Sequence, residues 1–126
     1  MASTNMINKL YAVCLLVNDF EVSLKFYRDT LGLILNSLDG KYADFKLGDT
    51  LLAIFQKDQA ISMFPESHMN TGGGAVYAYQ VEDIAQSCEE LKGKGIDIFS
   101  GPSTMSWGQT VAYFKDPDSN IWEITS

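Results

Sequence analysis

The chain has 126 residues and a mass of 14.0 kDa, enough for one domain or two small halves sharing a core, and too short for a multidomain machine. Nine Lys and Arg stand against sixteen Asp and Glu; the net charge of −7 and pI of about 4.4 exclude broad contact with nucleic acid or an anionic membrane. Hydrophobic residues make up 46% and charged ones 20%, the balance of a chain that folds.

Met1 to Lys9 is polar, with no charged-then-apolar leader layout. The apolar run Leu10 to Val17 is too short to span a bilayer and reads instead as a strand buried on both faces. The expectation is a soluble, cytoplasmic protein with reduced thiols. Asp19 then caps a helix whose apolar positions Phe20, Leu24, Tyr27 and Leu31 recur at helical spacing, and Gly32 supplies a left-handed stop. Strands follow at Leu33 to Ser37, Lys41 to Leu47 and Leu51 to Lys57, joined by glycine turns at Leu38 to Gly40 and at Gly48-Asp49.

Asp58 to Gly74 has no strong period and contains Met63, Phe64, Pro65, His68 and Met69 before three glycines. A stretch this long is either a plain connector or a lid, and its apolar residues would sit in water unless they cover something. Val76 to Val81 is the next strand. Asp83 caps a second helix, with Gln86 in capping-box position and Ile84, Cys88 and Leu91 as its apolar stripe. Gly93 and Gly95 end it, and strands are expected at Ile96 to Phe99, Gln109 to Lys115 and Ile121 to Thr125. An offset of 64 aligns Val17 and Asp19 with Val81 and Asp83, and Ser23 with Ser87. The chain therefore reads as two βαβββ units: a module at 8–57, a linker at 58–74 and a module at 75–126.

Two cysteines, Cys14 and Cys88, and one histidine, His68, form no CxxC or HxxxH pattern, so a closed zinc site has no ligands to draw on. No Lys, Arg or His adjoins Cys14 in sequence, which predicts an inert buried thiol.

The segment from Val17 through Asp19, Ser23, Phe26 and Tyr27 to Leu31-Gly32 resembles the V-x-D-x-x-x-S-x-x-F-Y-x-x-x-L-G signature of the vicinal oxygen chelate superfamily, which includes glyoxalase, bleomycin-resistance and extradiol dioxygenase proteins. Trp107-Gly108, then Phe114-Lys115-Asp116-Pro117-Asp118-Ser119-Asn120 and Glu123, resemble its WG…F-x-DPDGN-x-x-E ending. The resemblance implies an α+β fold of paired βαβββ modules, curved mixed sheets around a cavity, and a homodimer in which module one faces module two of the partner.

It also implies a divalent ion held by four side chains that chelates two substrate oxygens. Those ligand positions fall on Ala12, Ala53, Val76 and Glu123, and only Glu123 bears a donor atom. One carboxylate cannot hold a catalytic divalent ion, so no metal and no cofactor are expected, and His68 in the linker is not expected to substitute. Metal-free relatives include bleomycin-type and mitomycin-type resistance proteins, implied to confer antibiotic resistance by sequestering the drug.

With Glu123 inward, as the resemblance implies, strand alternation gives Tyr42, Phe55, Val111, Tyr113, Glu123 and Cys14 as ligand-binding candidates, Trp107 joins them from a loop that includes Gly101-Pro102, and no catalytic residue is expected. Tyr113 stands where fosfomycin-resistance relatives carry a ligand-contacting tyrosine. Trp107 would either stack on a planar ligand or plug a core edge. Glu123 is either a binding acceptor or a structural remnant. On the strand Lys41 to Leu47 the set Ala43, Phe45 and Leu47 should pack on the helix, leaving Tyr42, Asp44 and Lys46 to cavity or solvent. Two departures matter: Ser119 replaces the glycine of DPDGN, and Thr110 stands where close relatives carry arginine, which favours a neutral or cationic ligand over an anion.

The function expected is a metal-independent protein that binds or sequesters a small, planar or partly apolar compound. The alternatives are a divergent metal-dependent lyase, isomerase or thiol transferase of the same superfamily, and an interaction module whose cavity is filled by its own side chains.

Overall fold

The computed structural model describes residues 10–68, 70–72 and 74–126; the polar start Met1 to Lys9, Met69 and Gly73 lie outside the described residues. The first half runs β1 (Ala12–Val17), α1 (Phe20–Lys25), a π-helical turn (Phe26–Thr30), β2 (Ile34–Asp39), β3 (Tyr42–Leu47) and β4 (Thr50–Gln56). The second repeats the order: β5 (Val76–Gln80), α2 (Ile84–Gly93), β6 (Ser100–Thr104), β7 (Thr110–Lys115) and β8 (Ile121–Thr125). Two four-stranded mixed sheets result, ordered β1-β4-β3-β2 and β5-β8-β7-β6, with β1 parallel to β4 and β5 parallel to β8. This is the expected βαβββ arrangement, made twice.

Both helices start as their caps dictate. Asp19 Oδ1 accepts from the Val22 amide at 3.3 Å and Asp83 Oδ1 from the Gln86 amide at 3.1 Å. The expected capping box is only half made, because the Gln86 side chain turns forward to Glu90 instead of back to the cap. Gly32 takes φ +71° and closes the first helix as read.

Alternation sorts each sheet into two faces. One face carries Leu15, Val17, Phe45 and Ile54 in the first sheet and Ala112, Phe114, Trp122 and Ile124 in the second, all buried with Phe20, Leu24, Tyr27, Cys88 and Leu91 of the helical segments. Each large side chain among these contributes about 1.5–3 kcal/mol by leaving water. The core thus lies between the helix-bearing faces of the two modules, where the Tyr27 and Trp122 rings meet at 6.0 Å.

A buried polar network fixes one module to the other. Tyr27 Oη donates to Asp116 Oδ2 at 2.5 Å and accepts from Trp122 Nε1 at 3.2 Å. Asp116 also receives the Asp118 and Asn120 amides and the Asn120 side chain. Asp118 accepts from the Asn18 amide and side chain, and from the Ser23 hydroxyl. Burial and the Asp116 charge push the Tyr27 phenol far above its ordinary pKa. The residues that carry the family signatures are therefore largely structural. Ser119 takes the left-handed φ of +67° that replacement of glycine demanded.

Five expectations need correction. β1 is not buried on both faces, since Cys14 is exposed where the strand turns away from the core. The sixth strand is Ser100–Thr104, not Ile96 to Phe99: Ile96 and Ile98 pack on the core without a ladder, and Gly101-Pro102 lies in the edge strand instead of a loop. A side chain at Gly101 would meet the Val111 carbonyl oxygen at 2.4 Å, so only glycine allows β6 this close to β7. Leu47 is 38% exposed at the end of β3. Asp44 is buried, for reasons given below. The linker is not structureless, but holds short 3-10 helices at Lys57–Ser62 and Glu66–His68.

Candidate ligand-binding faces

The second face of each sheet, turned away from the core, holds the candidate residues. In the first sheet, register places Cys14 beside Ala53 and Ala53 beside Asp44. The Tyr42 and Phe55 rings meet edge to face at 5.9 Å. Three of the seven candidates, Cys14, Tyr42 and Phe55, therefore share this face. Burial pushes the Cys14 thiol up although the residue itself is exposed, so it is a soft apolar contact and a poor nucleophile.

Asp44 departs from the expected open position because it is satisfied locally. Its Oδ1 accepts from Asn36 Nδ2 and Ser37 Oγ, each at 2.9 Å, and its Oδ2 accepts from Tyr42 Oη at 2.6 Å. Burial acts to raise its pKa, but the Tyr42, Asn36 and Ser37 hydrogen bonds outweigh it and hold the carboxyl below the ordinary range. The same contact, with burial as the larger cause, raises the Tyr42 phenol well above its usual value.

In the second sheet, Tyr113 lies beside Glu123 in register and donates its hydroxyl to Glu123 Oε1 at 2.8 Å. That bond is the main cause of a raised Tyr113 pKa. Glu123 Oε2 has no protein partner among the described residues, and Glu123 is in no ion pair there. The Phe99 ring lies 6.2 Å from Tyr113 and under Lys115 Nζ at 5.5 Å. Val111 shares the Tyr113 face by alternation but is only 2% exposed, so it supports the face without presenting surface. Trp107 is 72% exposed and donates to Gln109 Oε1 at 2.9 Å, while Gln109 bonds Thr125; a core plug is excluded. The candidates thus fall into two clusters, one on each sheet, with Trp107 on the β6–β7 turn. Sequence reasoning missed Phe99 and Lys115, although Lys115 follows Tyr113 at the strand period of two.

A divalent-metal centre does not fit the residues present. Ala12, Ala53 and Val76 offer no donor, and no group of three or more His, Cys, Asp or Glu close enough to hold an ion exists among the described residues. His68 and Cys14 border one hollow of about 300 Å³, with Asn70, Gly72 and Gly74 on the linker side and Leu16 and Tyr77 on the strand side. The later part of the linker thus flanks β1, whereas Ile61 and Met63 of its earlier part stay exposed. No helix among the described residues is long and apolar enough to cross a membrane.

Comparison with known proteins agrees with this geometry. The model of the glyoxalase-like domain family matches residues 10–126. The chain is 33% identical over 123 residues to the uncharacterized protein YraH of Bacillus subtilis, spanning 92% of this chain and 96% of that one. It is 33% identical over 119 residues to a probable lactoylglutathione lyase of Synechocystis, spanning 86% and 87%. Among solved structures, a glyoxalase/bleomycin resistance protein/dioxygenase from Nocardioides superposes with a TM-score of 0.82 at 26% identity, covering 97% of this chain and 85% of that one.

Proposed function

We propose, from the premise that the chain belongs to the glyoxalase-like domain family of the vicinal oxygen chelate superfamily, that it binds a small planar or partly apolar molecule without a metal ion. The observation that carries this reading is the donor set: three of the four family ligand positions are Ala12, Ala53 and Val76, while Glu123 is already engaged by Tyr113. What is left on the open faces is aromatic and apolar surface with a few orienting polar groups, the makeup of a small-molecule site. Tyr42, Phe55 and Cys14 supply one wall, Tyr113 and Glu123 the other, and Trp107 a margin. The open Glu123 oxygen accepts a hydrogen bond or a positive charge, and the net charge of −7 draws cationic ligands inward and opposes anions, with no effect on neutral ones. In a homodimer that sets module one of one chain against module two of the next, the two clusters form one cavity.

The test is thermal denaturation of the full chain against a panel of planar aromatic compounds of positive, zero and negative charge, with and without chelator and added divalent ions. Neutral and cationic compounds should stabilise, by about 2.7 kcal/mol at a concentration 100 times Kd, and chelator should change nothing. A stoichiometric divalent ion with chelator-sensitive stability would overturn the reading. It would favour instead the divergent lyase suggested by the name of the Synechocystis relative.

A further inference from the structure

Because the two modules are copies, a difference between equivalent places is informative. In the second module, the five residues Asp116 to Asn120 join β7 to β8; in the first, Gly48 and Asp49 alone join β3 to β4. The longer turn reaches α1 of the other module, where Ser23 donates to the Asp118 carboxylate and Tyr27 to the Asp116 carboxylate. By the same offset of 64, Ser87 and Leu91 of α2 stand where Ser23 of α1 and Tyr27 of the π-helical turn stand. The shorter turn cannot fill the space they border. What remains is a cavity of about 380 Å³.

Its wall is apolar, made by Leu31, Leu33, Leu47, Leu91 and Trp122. Its polar rim is Thr30, Ser87, Glu90 and Lys94. The Ser87 hydroxyl has no protein partner among the described residues. Lys94 Nζ donates to the Thr30 carbonyl at 2.8 Å and keeps two further N–H groups free by valence. Glu90 is held by Gln86 Nε2 at 3.1 Å along the helix, and its charge limits an acidic head to a monoanion paired with Lys94.

We infer that this cavity is a second ligand site, distinct from the open sheet faces, and that it takes a small apolar molecule with a single carboxylate head. The volume and lining suit an aliphatic or aryl body. The head is assigned from the sister module, where a serine at the same helix position donates to a carboxylate, and from Lys94 beside it, since hydrogen bonds to an ionised acceptor are the strong ones. The inference does not depend on the proposed open-face function, and one experiment reads both places separately.

Octanoate, octanol and octylammonium are titrated into the 15N-labelled chain and amide shifts are followed. Octanoate should bind saturably, shifting Thr30, Leu47, Ser87, Leu91 and Lys94 and leaving Tyr113 and Glu123 in place. Lys94→Gln should weaken octanoate about tenfold and leave octanol unchanged. Ser87→Leu should fill the space and abolish binding; if that variant fails to fold, Lys94→Gln still decides. Octylammonium binding as tightly as octanoate, shifts confined to the sheet faces, or no saturation would each overturn the assignment. So would the same amides shifting with protein concentration alone, which would make a second copy of the chain the occupant.

Discussion

The two open sheet faces carry the same pair of chemical groups, a tyrosine hydroxyl on a carboxylate, and use it to opposite ends. In the first module the carboxylate is Asp44, which takes three side-chain donors from Asn36, Ser37 and Tyr42 and lies 5% exposed. In the second it is Glu123, which takes one donor from Tyr113 and keeps an oxygen open. A charge that has gathered its own donors is finished structure, because three of its roughly four acceptor sites are taken and burial closes the remainder to a ligand. A charge with an unused acceptor, on a half-exposed surface beside aromatic rings, still has an oxygen to offer. Proximity of an acid to a tyrosine therefore says little about function until the remaining lone pairs are counted.

The largest effect should come from the buried carboxylate that joins the modules, the reference against which both face carboxylates are measured. Asp116→Ala removes the acceptor of Tyr27, of Asn120 and of two backbone amides, leaving buried donors unpaired at a cost of about 4 kcal/mol in urea unfolding. A loss under 1 kcal/mol would mean that Asp116 adds little to the joint, which apolar packing and the Asp118 contacts to Asn18 and Ser23 would then hold.

Asp44→Ala should follow, at about 2–3 kcal/mol, since three donors lose their acceptor. Its pH dependence has a definite sign. The folded-state pKa is depressed below 3.8, so the Asp44 contribution is full above that value and is lost as the pH falls through the lower folded-state value. The stability gap between the parent and Asp44→Asn should thus narrow in strong acid and stay constant from pH 5 to 8. A gap that widened in acid would contradict the hydrogen-bond account.

Glu123→Gln should do the reverse of Asp44→Ala. Stability should change by under about 1 kcal/mol, because the amide carbonyl can still accept from Tyr113. Affinity for a cationic planar ligand should fall about tenfold while a neutral one is little affected. Equal losses for both ligands would place Glu123 with Asp44 as a structural group.

Much of the fold was legible because its signals are local. The Asp19 and Asp83 caps, the Gly32 stop, the apolar alternation of β3 and the short apolar runs of β4, β7 and β8 are each read within a few residues, and the family signatures tie the halves together. β6 was misplaced because Ile96 and Ile98 of its apolar flank pack on the core outside any strand, while the true strand is a polar edge containing Pro102. The saturation of Asp44 was illegible for a different reason: two of its three donors lie on β2, where a register shift between Leu35 and Ser37 brings Asn36 and Ser37 to it. Glu123 was found from the motif that precedes it, yet whether its charge was open or spent depended on Tyr113 across the ladder. The 380 Å³ cavity could not be read at all, since it follows from the missing length of one turn.

That turn also gives the smallest test. Of the two equivalent connections, the one in the first module uses Gly48 at φ +58°, whereas the longer one in the second puts Ser119 at φ +67°. A side chain in this region is strained where glycine is not, by about 1 kcal/mol. Ser119→Gly should therefore stabilise the chain by roughly 0.5–1 kcal/mol, less the entropy that glycine adds to the unfolded state. The Ser119 amide donates to the Asp116 carbonyl at 3.0 Å whichever side chain is present, so the network with Tyr27 should survive. A destabilisation would show that the serine side chain contributes more than its backbone strain costs, and that the two turns differ in chemistry as well as in length.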